Sequence, residues 1–99
     1  MSRYKVYATP QALKEIKALP GNIRQRVRRA IGELADDPRP SLAKALGGEF
    51  DQELWRLRLD RWRVVYMISE ADLIVDVLAV RKRPPYDYRD LEALLEGIT

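Results

Sequence analysis

The sequence predicts an α+β fold in the order β-α-α-β-β-β-α, with an antiparallel sheet whose helices pack on one face. Residues 3–9 alternate in the manner of a short strand, and three further runs with strand signals lie between residues 53 and 80. Apolar residues recur at helical spacing between residues 10 and 35 and again near the C-terminus. A chain of 99 residues suffices for one domain, so we expect residues 1–99 to form a single domain.

Two helices are predicted after the first strand. Thr9 is a suitable N-cap, and Pro10 suits the first helical position because its ring presets the helical φ angle. This helix should end before Pro20 and Gly21, which interrupt helices. A second helix is expected from residue 23 to residue 35, since Pro38 disfavours helix at the residue before it.

The remainder of the chain is predicted to form a loop, three strands and a last helix. The loop covers residues 37–52, and Leu42 and Leu46 should attach it to the core. Strands are expected over residues 53–59, 62–69 and 73–80, and their short connections favour antiparallel pairing of consecutive strands. Residues 87–97 show helical spacing, with Asp87 as the cap and Gly97 at the end.

Composition excludes several kinds of site. The chain contains no cysteine, which rules out disulfides and cysteine-based zinc sites, and no histidine, the usual metal ligand and general base. We therefore predict neither a cofactor nor a metal site. No segment is apolar enough to span a membrane, and the first residues lack the apolar core of a signal peptide, so the expected location is the cytoplasm. The formal net charge is +3.

Several of the arginines should share one face of the sheet. Side chains alternate along a strand, so Arg56 and Arg58 point away from Trp55, and Arg63 points away from Trp62. If the apolar set faces the helices, these three arginines lie together on an open face. They could be ordinary solvated charges, but adjacent like charges destabilise a sheet, and that cost is easier to explain if a polyanion binds there.

A third basic cluster follows the last strand. Arg81, Lys82 and Arg83 should emerge beside the sheet arginines, and Tyr86 and Tyr88 come shortly after them. The planar guanidinium group of arginine binds phosphate through two parallel hydrogen bonds. A tyrosine can stack on a nucleic-acid base, or it can pack beneath the last helix, and the sequence leaves both readings open.

The order and spacing of six segments resemble the RelE/ParE toxin family across nearly the whole chain. These segments are residues 12–16 (ALKEI), 34–38 (LADDP), 46–48 (LGG), 55–59 (WRLRL), 62–66 (WRVVY) and 80–88 (VRKRPPYDY). No single segment is specific, but their combination is.

The resemblance implies a toxin that a small cognate antitoxin neutralises. The RelE branch resembles microbial ribonucleases in fold and cleaves messenger RNA in the ribosomal A site, whereas the ParE branch poisons DNA gyrase. On the RelE reading the partners are the antitoxin, the ribosome and mRNA, and the toxin is a monomer alone and a hetero-oligomer with its antitoxin. The alternatives are a ParE-like gyrase inhibitor and a non-catalytic nucleic-acid-binding module.

The RNA-cutting residues of the family map onto this sequence. The resemblance implies that Arg63, Arg83 and Tyr88 are catalytic, with Tyr86 as the competing match for the functional tyrosine. It aligns the basic pair of the preceding strand with Arg56 and Arg58. We predict an RNA-binding set that consists of Arg56, Arg58, Arg61, Arg81, Lys82 and Tyr86.

Without histidine, the predicted chemistry depends on arginine and tyrosine. Arginine stays protonated and is a weak proton donor, but it stabilises the charge on a crowded phosphate. A tyrosine beside arginines is the best candidate for the base that removes the proton from the RNA 2′-hydroxyl. Such an enzyme should be weak on free RNA and should need the ribosome to hold the substrate in line.

Overall fold

A computed structural model describes residues 3–47 and 51–97 of the chain, and the elements named here lie in those ranges. Residues 48–50 of the predicted loop, including Gly48 of the LGG segment, lie outside them. The elements are β1 (Lys5–Ala8), α1 (Pro10–Lys17), α2 (Gly21–Glu33), β2 (Ala43–Ala45), β3 (Glu53–Leu59), β4 (Trp62–Ser69), β5 (Ile74–Lys82) and α3 (Leu91–Glu96). None of the helices in these ranges is long and apolar enough to cross a membrane.

The α+β class is confirmed, but the sheet is mixed rather than fully antiparallel. Its strand order is β1-β5-β4-β3-β2, and β1 pairs with β5 in parallel, whereas the other neighbours are antiparallel. The difference has a topological cause: β1 lies beside the last strand instead of the one that follows it, so no tight turn sets its direction. The short strand β2 lies inside the predicted loop and pairs with β3.

The larger core lies between one face of the sheet and helices α1 and α2. Thr9 caps α1, as predicted, and its hydroxyl accepts a hydrogen bond of 3.1 Å from the backbone N–H of Ala12. Tyr66 is fully buried and donates its hydroxyl to the Pro38 carbonyl at 2.7 Å, which attaches the start of the loop to the sheet. The sheet residues expected to face these helices do so: Trp55, Leu57, Trp62, Val64 and Tyr66.

Helix α3 lies on the opposite face of the sheet, so the expectation of helices on one face only is wrong for this helix. Leu91 and Leu94 of α3 pack with Leu54, Val65 and Ala79 in a second, smaller core. The sheet can bury both faces because β3, β4 and β5 each carry apolar residues on this side too.

Two local expectations also need correction. Leu46 packs against the second core, as predicted, but Leu42 is 57% exposed and does not attach the loop. The last helix begins at Leu91, with Asp90 rather than Asp87 at its N-cap position. Instead, the Asp87 side chain accepts a hydrogen bond from the backbone N–H of Arg89 at 3.2 Å, so it belongs to the turn before the helix.

Candidate nucleic-acid interface

Three arginines form a row across β3, β4 and β5, close to the β3–β4 turn. Arg58 on β3 lies directly opposite Arg63 on β4, and Arg63 lies directly opposite Arg81 on β5. Arg56 shares this face because it is two residues from Arg58 on the same strand. The predicted common face of Arg56, Arg58 and Arg63 is therefore confirmed, and the row extends to Arg81, but the face is not fully open because α3 packs on part of it.

The first part of this row, Arg58 and Arg63, carries uncompensated positive charge. Among the described residues, neither of them forms a salt bridge, and the same holds for Arg56. The Arg63 guanidinium donates hydrogen bonds to the carbonyl oxygens of Asp60 at 2.8 Å and Trp62 at 3.0 Å, so it is held over the β3–β4 turn. Carbonyl groups orient the arginine but do not neutralise it.

The carboxylate in the β3–β4 turn already has a partner. Asp60 adopts φ 54°, a left-handed conformation that aspartate tolerates in tight turns. Its Oδ2 lies 2.7 Å from the Arg26 guanidinium of α2, and this hydrogen bond holds the pKa of the Asp60 carboxyl below its usual value. Asp60 is therefore in direct contact with Arg26, and Arg58 acts on it only through space, without a hydrogen bond or salt bridge.

Arg81 is placed quite differently from the other arginines of the row. Its Nε donates to Glu15 Oε2 at 2.8 Å, and its Nη1 donates to Asp90 Oδ2. The side chain is 26% exposed. Burial opposes ionisation of Asp90, but hydrogen bonds from Arg81 and Tyr86 outweigh it, and the pKa of Asp90 lies below its usual value. Two carboxylates therefore compensate the charge of Arg81, which was predicted to bind RNA.

The two tyrosines of the C-terminal segment contact each other. Their ring centroids lie 4.8 Å apart in an edge-to-face arrangement. The Tyr86 hydroxyl donates a hydrogen bond of 2.8 Å to Asp90 Oδ1, and burial raises the pKa of Tyr86. Tyr88 adopts φ 63°, and its hydroxyl is buried without a hydrogen-bond partner in the described part of the chain. The Cζ atom of Arg83 lies 5.1 Å from the centroid of the Tyr88 ring.

The remaining two predicted residues lie at the end of the β3–β4 hairpin. Arg61 is exposed in the turn, and its carbonyl accepts a 2.7 Å hydrogen bond from the backbone N–H of Arg83. Lys82 pairs in register with Trp62 and so lies on the face of the sheet that packs against α1 and α2, apart from the arginine row. A groove of about 550 Å³ at this end is lined by Ile23, Arg58, Asp60, Arg61, Trp62 and Lys82.

The sequence did not indicate that two further residues, Glu15 and Asp90, belong to this site. Glu15 is 66 positions from Arg81, and helical spacing says nothing about so distant a contact. Asp90 is nine positions away, but the sequence shows it only as one of the acidic residues near the C-terminus. Within residues 3–47 and 51–97, no cluster of histidine, cysteine, aspartate and glutamate side chains has the geometry to hold a metal ion.

Comparisons with known proteins show which family the chain belongs to. The family described as the ParE toxin of the type II toxin–antitoxin system parDE matches residues 6–84. A RelE-like toxin protein of Escherichia coli is 35% identical over 89 residues, which cover 90% of this chain and 93% of that protein. The mRNA interferase toxin RelE of E. coli K12 is 32% identical over 73 residues, which cover 74% of this chain and 76% of that one.

A solved structure shows the same fold. The chain superimposes on a protein in the crystal structure of the archaeal RelE–RelB complex from Pyrococcus horikoshii with a TM-score of 0.75 and 26% identity. The match covers 85% of this chain and 99% of that one. The family match spans most of the chain, and both curated relatives are toxins of the same kind. This chain belongs to the RelE/ParE family of toxins from type II toxin–antitoxin systems.

Proposed function

We propose that this toxin is a ribosome-dependent endoribonuclease that cleaves mRNA in the ribosomal A site. The observation that carries the proposal is the uncompensated pair Arg58 and Arg63, which lie opposite each other on adjacent strands. The contact between Arg83 and the Tyr88 ring supports it, because it joins the two other expected catalytic side chains. The name of the E. coli relative, an mRNA interferase, points to the same class of reaction.

The proposed reaction is attack by the RNA's own 2′-hydroxyl on the adjacent phosphorus. The 2′-oxygen loses its proton to a base and forms a bond to phosphorus, while the bond to the 5′-oxygen breaks and that oxygen takes up a proton. The products are a 2′,3′-cyclic phosphate and a 5′-hydroxyl. In this proposal Arg63 and Arg83 stabilise the charge on the phosphorane, and Arg56 and Arg58 hold the flanking backbone.

Tyr88 is the proposed base, and its burial supports a requirement for the ribosome. The buried Tyr88 hydroxyl can contact a ribose only after the C-terminal segment shifts or after the RNA is held against that segment. A protein with no histidine has few groups for proton transfer, so it must gain much of its rate from a substrate held in line. Positioning can supply up to roughly 7–11 kcal/mol of a barrier, and the ribosome would provide it.

Inhibition of DNA gyrase is the competing function, because the matching family carries the ParE name. We expect the purified protein to cleave mRNA on translating ribosomes, to act weakly on the same mRNA alone, and to leave gyrase supercoiling unchanged. Inhibition of supercoiling without mRNA cleavage would establish the gyrase function instead. Binding to RNA without either effect would indicate the non-catalytic module.

We also propose that a cognate antitoxin neutralises this toxin, as the RelE–RelB complex from P. horikoshii suggests for its toxin. The uncompensated arginines favour a partner with acidic side chains on its contact surface, since charge complementarity speeds association. Co-expression of the toxin with the adjacent open reading frame should restore growth, and the two products should copurify. A neighbouring product that neither binds nor restores growth would contradict the proposed pairing.

A further inference from the structure

We propose that Arg81, Glu15 and Asp90 form a positioning cluster, which keeps Tyr88 and Arg83 in place without touching the RNA. The consequence for cleavage rests on the proposed function, whereas the consequence for the geometry of Tyr88 does not. Arg81 is then a positioning residue and leaves the RNA-binding set predicted from the sequence.

The charge of Arg81 is already compensated within the protein. The guanidinium of Arg81 contacts one carboxylate from α1 and one from the N-terminal end of α3. A phosphate that approached Arg81 would meet the negative charge of Glu15 and Asp90 beside the guanidinium and would be repelled by it. Arg58 and Arg63 carry no such partners among the described residues, so a polyanion binds them at much lower cost.

Glu15 fixes the position of Arg81 in the fold. Strand β1 ends at Ala8, opposite Val77, so β5 has no neighbouring strand on that side beyond this point. The Glu15 carboxylate takes the place of a neighbouring strand there. Its Oε1 accepts a hydrogen bond of 2.9 Å from the backbone N–H of Val80, and its Oε2 accepts one from Nε of Arg81. Helix α1 thereby holds the arginine at a defined place along the strand.

A continuous series of contacts joins Arg81 to the proposed catalytic side chains. The Cζ atom of Arg81 lies 5.1 Å from the ring centroid of Tyr86, whose hydroxyl donates to Asp90. Tyr86 contacts Tyr88 edge to face, and Tyr88 lies against the guanidinium of Arg83. Loss of the charge at position 81 should therefore release Asp90 and Tyr86 and loosen Tyr88.

The experiment compares Arg81→Met, Glu15→Gln and Asp90→Asn with the wild type through three measurements. The first is the salt dependence of binding to a short single-stranded RNA oligonucleotide. The second is the ¹⁹F NMR signal of 3-fluorotyrosine at position 88. The third is the single-turnover cleavage rate on programmed ribosomes. Arg58→Met serves as the comparison that removes an RNA contact, and Arg89→Met as the control, because Arg89 is 89% exposed in the same segment.

The proposal predicts that Arg81→Met leaves the salt slope of RNA binding unchanged, whereas Arg58→Met reduces it by about 1. The signal from position 88 should shift or broaden in Arg81→Met and stay as in the wild type in Arg89→Met. Cleavage should slow by about 10²-fold in Arg81→Met, since small displacements of reacting groups have effects of that size. Smaller losses are expected for Glu15→Gln and Asp90→Asn.

Two results would overturn the proposal. One is a salt slope that falls in Arg81→Met as it does in Arg58→Met, which would make Arg81 an RNA contact. The other is an unchanged signal at position 88. If Arg81→Met does not fold, the two carboxylate variants decide through the signal at position 88, which should shift or broaden in both, because each variant keeps the size of its side chain and removes one partner of Arg81. A wild type that cleaves no mRNA would refute the proposed function, while the first two measurements would still decide this inference.

Discussion

We expect Arg63→Met to cleave mRNA on ribosomes about 10²–10³-fold more slowly than the wild type, a loss typical for removal of one group that stabilises transition-state charge. Arg63 is uncompensated by any carboxylate in the described residues and is oriented by the carbonyls of Asp60 and Trp62. Methionine preserves much of the length of the side chain and removes the charge. The measurement is single-turnover cleavage at saturating toxin.

The control for this prediction is Arg28→Met, which removes one exposed arginine from α2 and should cleave at the wild-type rate. Thermal unfolding of both variants is needed, because Arg63 also makes two hydrogen bonds that stabilise the turn, each worth about 1 kcal/mol. A folded Arg63→Met variant that cleaves as fast as Arg28→Met would remove Arg63 from the catalytic set.

The two tyrosines should respond in opposite ways to loss of their hydroxyls. Tyr88→Phe should slow cleavage by roughly 10²–10⁴-fold, the range for a general base, and should raise the free energy of unfolding by about 1 kcal/mol. The gain in stability is expected because its hydroxyl is buried without a partner among the described residues. Tyr86→Phe should lower the free energy of unfolding by about 1 kcal/mol, since it loses the hydrogen bond to Asp90, and should affect cleavage much less.

Each tyrosine variant is the matched control for the other, because both changes keep the ring and remove one oxygen. Single-turnover cleavage and urea unfolding on the same preparations provide the comparison. The reverse pattern in the rates would assign the base to Tyr86. Wild-type rates in both variants would show that neither phenol transfers the proton, and the arginines would then act with a group of the ribosome or the substrate.

The limits of two of the strands could be predicted well from the sequence. The predicted strands 53–59 and 62–69 match β3 and β4 at both ends, since a two-residue turn separates two runs of strand-forming residues. Alternation also places Arg56, Arg58 and Arg63 on one face. These are local properties, in which each residue's position depends only on its near neighbours along the chain.

Properties that depend on distant segments could not be predicted in this way. The parallel pairing of β1 with β5 brings together residues separated by the whole of the helix pair and three strands. The burial of part of the basic face by α3 depends on Leu54, Val65 and Ala79. These residues lie opposite the larger apolar set of their strands, and the sequence does not show that a helix packs on them. Arg81 resembles its basic neighbours in sequence, and only the contacts with Glu15 and Asp90 distinguish it.

The most direct test of the proposed activity is to map the ends of mRNA cleaved on ribosomes, with and without a single 2′-deoxy substitution at the cut position. The account predicts cleavage within the A-site codon, a 2′,3′-cyclic phosphate and a 5′-hydroxyl at the new ends, and no cleavage of the 2′-deoxy mRNA, because the attacking oxygen is missing. Cleavage of the 2′-deoxy mRNA at the same position and rate would contradict attack by the 2′-hydroxyl, and with it the roles proposed for Arg63, Arg83 and Tyr88.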